Sequence, residues 1–140
     1  TQQEEMEILN RFVGSDPVRS LETVASGGDI TDIQKSFSAV RVSDVVMSYI
    51  ISVVEATRTS DRITLGVSPR GSIALMKAAQ VNAILNGRDF VTPGDVKRVS
   101  VPVLAHRIIL KGRAIDSGTE KAETAIRQIL EQVHVPTEDV

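Results

Sequence analysis

The run "SPRGSIALMKAAQVNAILNG", Ser68 to Gly87, constrains the fold most. Ser68 suits an N-cap, Pro69 the first helical position and Gly87 a left-handed C′ residue, so the run is bounded as a single helix. Between those ends apolar residues cover nearly the whole wheel, broken mainly by Lys77, Gln80, Asn82 and Asn86. A helix without a broad wet face belongs at the centre of its domain. Ala74, Ala78, Ala79 and Ala83 let neighbouring helices approach closely. Around such a segment the fold is expected to be mainly α, a helical bundle with at most one small two-stranded β element. Apolar residues are 41% of the 140 and aromatics only 3%, so the core must be built from Val, Ile, Leu and Ala.

The remaining elements follow from periodicity and punctuation. Met6, Ile8, Leu9, Phe12 and Val13 fall on one side of a helix of about three turns. Gly14 to Asp29 is expected to be a turn-rich connector with Gly27-Gly28 its most flexible point. "TDIQ" fits a capping box with Thr31 as cap and Gln34 reaching back. Ala39 to Val42 alternates like a short strand, and "HRIIL" is a candidate to pair with it. "SDVVMSYIISVVEATR" is rich in β-branched residues, but Ser48, Ser52 and Glu55 form one polar stripe at helical spacing. Its length and that stripe decide for helix. "TPGD" opens another helix, with Thr92 as cap, Pro93 at N1 and Asp95 at N3. Pro102 interrupts that helix or begins a new turn. A closing helix starts near Ser117 or Thr119, buries Ala122, Ile126, Ile129, Leu130 and Val133, and stops at Pro136.

No G-x-x-x-x-G-K-[ST] phosphate loop, no G-x-G-x-x-G, no G-x-S-x-G and no H-E-x-x-H occurs. With two histidines and no cysteine, no metal site is expected, and His106 and His134 fit surface or capping roles. A net charge of −2 gives no footprint for nucleic acid or acidic lipid, although "HRIILKGR" gathers His106, Arg107, Lys111 and Arg113. Arg58 suits the C-terminal end of its helix, and Arg88-Asp89 suits a local polar pair in a turn. A self-contained enzyme is not expected. The N-terminus has no initiator Met or signal pattern, so the chain is expected to be a piece of a longer protein.

Arg70 is the residue whose position asks for a reason. It falls in the first turn of the central helix, where free N–H groups and the helix dipole are already positive. Either it is solvated, or helix start and guanidinium face a shared anion, with Gly71 leaving room beside it.

Three stretches together resemble the MoxR family of AAA+ ATPases in its C-terminal helical lid: "GVSPRG" (Gly66 to Gly71), "GRDFVTPGDV" (Gly87 to Val96) and "VLAHR" (Val103 to Arg107). "YIISVVEATR", "ILEQVHVP" and "EEMEILNRF" extend the likeness over nearly the whole chain, while Val67 and Gly71 depart from the small residues such as Ala often found there. The resemblance implies that Arg70 is the sensor-2 arginine, reaching ATP phosphates on a nucleotide-binding core, with Ser68 and Pro69 positioning it. It implies that residues 1–29 connect to that core and 30–140 form the lid. ATP and Mg2+ would belong to the full-length protein, a cytoplasmic, chaperone-like remodeller. Its partners would be its own core, neighbouring subunits of a ring that is often hexameric, and von Willebrand factor A domain proteins. The fragment alone would be inactive, with no nucleic-acid partner and no membrane insertion. Two other classes stay open: a stand-alone α-helical protein-interaction module without a nucleotide role, and a helix-turn-helix-like nucleic-acid binder.

Overall fold

A computed structural model describes residues 1–14, 16–112 and 118–136. Its α-helices are α1 (Gln2–Phe12), α2 (Gly27–Ser36), α3 (Asp44–Thr59), α4 (Pro69–Leu85), α5 (Pro93–Leu104) and α6 (Gly118–Gln132). Two short strands, β1 (Ile63–Leu65) and β2 (Ile109–Leu110), pair antiparallel. The fold is thus mainly α with one two-stranded element, as expected. The chain divides into two units, Thr1–Gln34 and Lys35–Val140.

In the first unit, α1 carries the expected apolar side, but Met6, Ile8, Leu9, Phe12 and Val13 are all more than half exposed. Asp16 accepts from the Val18 N–H at 3.0 Å and fixes a 3-10 turn over Pro17–Ser20. The start of α2 at Gly27 lies five residues before the one that a Thr31 cap would give. Ser26 and Asp29 form a reciprocal pair: the Asp29 N–H donates to the Ser26 hydroxyl at 3.2 Å and the Ser26 N–H to the Asp29 carboxylate at 2.7 Å. A carboxylate answers free N–H groups and the helix dipole better than the Gln34 amide does. Gly27 and Gly28 therefore lie in the first turn rather than a flexible link. Thr31 is inside the helix, its hydroxyl donating back to the Gly27 carbonyl at 2.8 Å.

In the second unit, Ser43 caps α3 by accepting from the Val46 N–H at 3.3 Å. The stripe of Ser48, Ser52 and Glu55 is exposed, and Val46, Tyr49, Ile50, Val53, Val54 and Thr57 are buried on the other side. Helix α4 packs mainly on α5 and also on α3 and the 3-10 turn Phe37–Ala39. It buries Gly71, Leu75, Ala79, Gln80 and Ala83. It is less enclosed than its composition suggests, since Ile73, Val81 and Leu85 are 53%, 42% and 77% exposed. Its end is a Schellman turn: Gly87 has φ +71°, its N–H reaches the Ile84 carbonyl at 2.8 Å, and the Arg88 N–H reaches that of Ala83 at 3.0 Å.

The partner of "HRIIL" differs from expectation. Residues 109–110 pair with 63–65, and the Lys111 N–H donates to the Arg62 carbonyl at 2.8 Å. Ala39 to Val42 is otherwise engaged. The Val40 carbonyl accepts from the buried Gln80 amide at 2.8 Å. The Arg41 N–H donates to the Asp89 carbonyl at 2.9 Å, and the Val91 N–H donates back to the Arg41 carbonyl at 3.0 Å. Those groups leave no ladder for a strand from 109–110 to join.

Pro102 sits within α5, close enough to its end that the lost hydrogen bond is tolerated. The Pro102 carbonyl lies 3.1 Å from Nδ1 of His106, a helix-end role of the kind expected of that histidine. Ala122, Ala125, Ile126, Ile129 and Leu130 form the buried face of α6, with Val133 half-buried beyond its end. No described helix is long and apolar enough to cross a membrane.

Candidate functional site

The start of α4 brings together the three residues that the sequence singles out. Ser68 takes the N-cap position with φ −75° and ψ 165°, Pro69 is N1 and Arg70 is N2. The Ser68 side chain makes no capping bond; its carbonyl instead receives the N–H groups of Gly71 at 2.8 Å and Ser72 at 3.3 Å. Pro69 has no N–H to satisfy and its fixed φ suits the first turn. No acidic residue stands in that turn. Arg70 is exposed, and it has no ion pair or hydrogen bond among the described residues.

Gly71 plays a different part from the one expected. It is buried, and a Cβ there would lie 2.3 Å from Cγ1 of Val67, a residue only 1% exposed. The room beside Gly71 is thus occupied by Val67 rather than held open for a ligand. Val67 and Gly71 fit each other, a branched side chain at 67 against a missing one at 71. On the same side, Cδ of Arg107 would lie 3.5 Å from that Cβ, so the Arg107 stem runs along the first turn of α4.

Val67 is itself gripped by the last turn of α3. Its N–H donates to the Thr57 hydroxyl at 3.0 Å, and that hydroxyl donates to the Val54 carbonyl at 2.6 Å. Its carbonyl accepts from Nε of Arg58 at 2.8 Å. At Gly66 a Cβ would lie 2.7 Å from Cα of Arg58, so the strand exit and helix end approach too closely for any side chain. By sequence Arg58 suits only the helix dipole, and Thr57 and Gly66 enter only as parts of stretches that carry the family resemblance, with no contact expected between them. The tripeptide "ATR" has no spacing signature, because its partner is nine or ten residues away on a separate element.

The far end of α4 carries a second arginine in a different state. Arg88 forms a two-pronged pair with Asp95, both contacts 2.6 Å. The Asp95 carboxylate, 2% exposed, also accepts from the Asn82 amide at 2.7 Å and from the Thr92 N–H and hydroxyl, each at 2.8 Å. Burial pushes this carboxyl up, but the bonds from Arg88, Thr92 and Asn82 outweigh it and hold it far below the usual carboxylate range. Arg88 further donates to the Phe90 carbonyl at 3.1 Å, with its guanidinium 5.8 Å from the Phe90 ring centre. The expected Arg88–Asp89 pair is not formed: Asp89 instead meets Arg41 at 3.4 Å on the surface. A buried, five-donor carboxylate is the better partner for Arg88.

His106, Arg107 and Lys111 are all exposed, and Arg113 lies outside the described residues. Among the described residues no three His, Cys, Asp or Glu side chains cluster as a metal site would require.

Comparison with known proteins places the fold in a family. Residues 55–129 match the family model of the AAA lid domain. The chain is 40% identical over 135 residues to the uncharacterized protein YeaC of Bacillus subtilis, covering 96% of this chain and 42% of that protein. It is 32% identical over 143 residues to the chaperone MoxR1 of Mycobacterium tuberculosis, covering 96% of this chain and 37% of MoxR1. Against MoxR of Paracoccus denitrificans it is 36% identical over 107 residues, covering 67% and 29%. A crystal structure described as a "putative ATPase" from Cytophaga hutchinsonii superimposes with a TM-score of 0.77 at 27% identity, covering 98% of this chain and 44% of that one. The chain spans less than half the length of these relatives. The helical architecture, the match over residues 55–129 and the MoxR relatives agree: this chain belongs to the AAA lid domains of the MoxR family.

Proposed function

We propose that the chain is the lid of an ATP-hydrolysing MoxR protein and that Arg70 is its sensor-2 residue. Residues 1–29 lead from the nucleotide-binding core, and 30–140 form the lid that closes over ATP and Mg2+ held there. The observation that carries this reading is an exposed arginine, unpaired among the described residues, at N2 of a 17-residue helix with no acid in its first turn. A cation at the positive end of a helix is a small electrostatic cost, and an anion reverses it. The guanidinium fork suits phosphate oxygens, and the helix start adds its own partial charge. Pro69 and the Ser68 backbone set the turn from which Arg70 projects. The phosphate loop and magnesium ligands belong to the rest of the protein, so the chain by itself hydrolyses no ATP.

In the full-length protein, lid motion driven by nucleotide state would pass to neighbouring subunits of a ring, in a cytoplasmic chaperone-like machine acting with von Willebrand factor A domain partners. Arg70→Ala in that protein is expected to lower kcat for ATP or raise its KM by about tenfold or more. Unaltered kinetics would remove Arg70 from the site. Partner binding that survives Arg70→Ala and ignores ATP would favour the interaction-module reading instead.

A further inference from the structure

We infer that Arg58 is a positioning residue for Arg70, acting through the backbone of Val67. The inference rests on the sensor-2 reading above. Four observations converge on one residue. Thr57 and Arg58, adjacent on the last turn of α3, take the N–H and the carbonyl of Val67 at 3.0 and 2.8 Å. Gly66 brings that segment against the Arg58 backbone, where no Cβ fits. The Val67 side chain fills the space that Gly71 leaves at the third position of α4. The next residue, Ser68, supplies the carbonyl that starts the helix.

Val67 is therefore fixed at its amide, its carbonyl and its side chain, and Arg70 follows it by three residues. An exposed arginine on a long flexible stem is useful only if its root is immobile, since a displacement of ~1 Å can cost ~100-fold in rate. Arg58 is a charged residue employed through one geometric feature, a donor at Nε.

That feature separates two substitutions. In Arg58→Gln the amide nitrogen sits the same number of bonds from Cα as Nε, so the donor survives and the charge does not. In Arg58→Lys the charge survives, but a methylene stands where Nε was. The test uses the full-length protein, with each substitution alone and combined with Arg70→Ala. It reads kcat and KM for ATP together with amide hydrogen exchange at Gly71 and Ser72. Arg58→Lys is expected to lower kcat about tenfold and speed exchange at those amides, while Arg58→Gln stays within about twofold of the parent. Combined with Arg70→Ala, Arg58→Lys should add no further loss.

Loss in Arg58→Gln with activity kept in Arg58→Lys would overturn the inference, because charge rather than geometry would then matter. So would a loss from Arg58→Lys that persists in the Arg70→Ala background. Should Arg70→Ala itself be silent, the sensor-2 reading falls. The exchange data then decide the positioning role alone, and unchanged exchange in Arg58→Lys refutes it.

Discussion

The two ends of α4 each carry an arginine, and they differ in exposure and in pairing. At the C-terminal end Arg88 is drawn into the fold, pairing with a carboxylate that is 2% exposed and takes five donors. At the N-terminal end Arg70 is exposed, without an acid in its turn and without a partner among the described residues. Both lie in dense motifs, "GVSPRG" and "GRDFVTPGDV". The lesson is that motif density does not separate scaffold from site. The state of the charge does: a compensated arginine holds the fold, and an uncompensated one on a rigid root is free to meet something else.

That contrast breaks most visibly at Asp95. Asp95→Asn is expected to destabilise this chain by about 3–5 kcal/mol in urea unfolding, because it leaves Arg88 facing an uncharged amide in a buried setting. The pH dependence follows from the lowered folded-state pKa. Its stabilisation is fully present above the unfolded carboxylate value of about 3.9 and is lost as pH falls through the lower folded value. Titration of unfolding midpoints should therefore show the gap between parent and Asp95→Asn narrowing only below about pH 4.

A smaller effect sharpens the other end. Gly71→Ala should cost about 1–3 kcal/mol in thermal or urea unfolding, because the new methyl meets Val67. Val67→Ala in the same chain should restore much of that loss, so that the double variant is more stable than the summed single effects require. Strict additivity would mean that the contact at 2.3 Å relaxes without involving Val67.

Tyr49→Phe comes next. The Tyr49 hydroxyl is buried without a partner among the described residues, and its removal should leave stability unchanged or raise it by up to about 1 kcal/mol. Least of all, Arg70→Ala should change unfolding by less than about 0.5 kcal/mol, as a side chain outside the core does. A large loss there would erase the contrast between the two ends.

Much of this arrangement is legible in the sequence wherever a signal is local. The bounds of α4, the left-handed Gly87, the box of Thr92 and Asp95 and the polar stripe of α3 all repeat or cap within a few residues. What escaped is non-local. Arg58 and Val67 meet across a strand, Arg88 passes its neighbour Asp89 for an acid seven residues away, and residues 109–110 choose 63–65 over 39–42. Spacing carries no trace of such choices, since they depend on which groups remain unsatisfied after the helices pack. The box at Ser26 shows a second kind of miss, in which two candidate boxes compete and the one closed by a carboxylate, Ser26 with Asp29, prevails over Thr31 with Gln34. At Arg70 the sequence supplies the location and the electrostatic oddity, while the proposed sensor-2 role rests on resemblance.

The stitching of Val40 and Arg41 to Gln80, Asp89 and Val91 has a mechanical meaning. It bolts residues 40–41 to two later parts of the same unit. A load placed on Val40 or Arg41 is shared with α4 through Gln80 and with the loop leading into α5 through Asp89 and Val91, because these bonds join segments 40 to 50 residues apart in sequence.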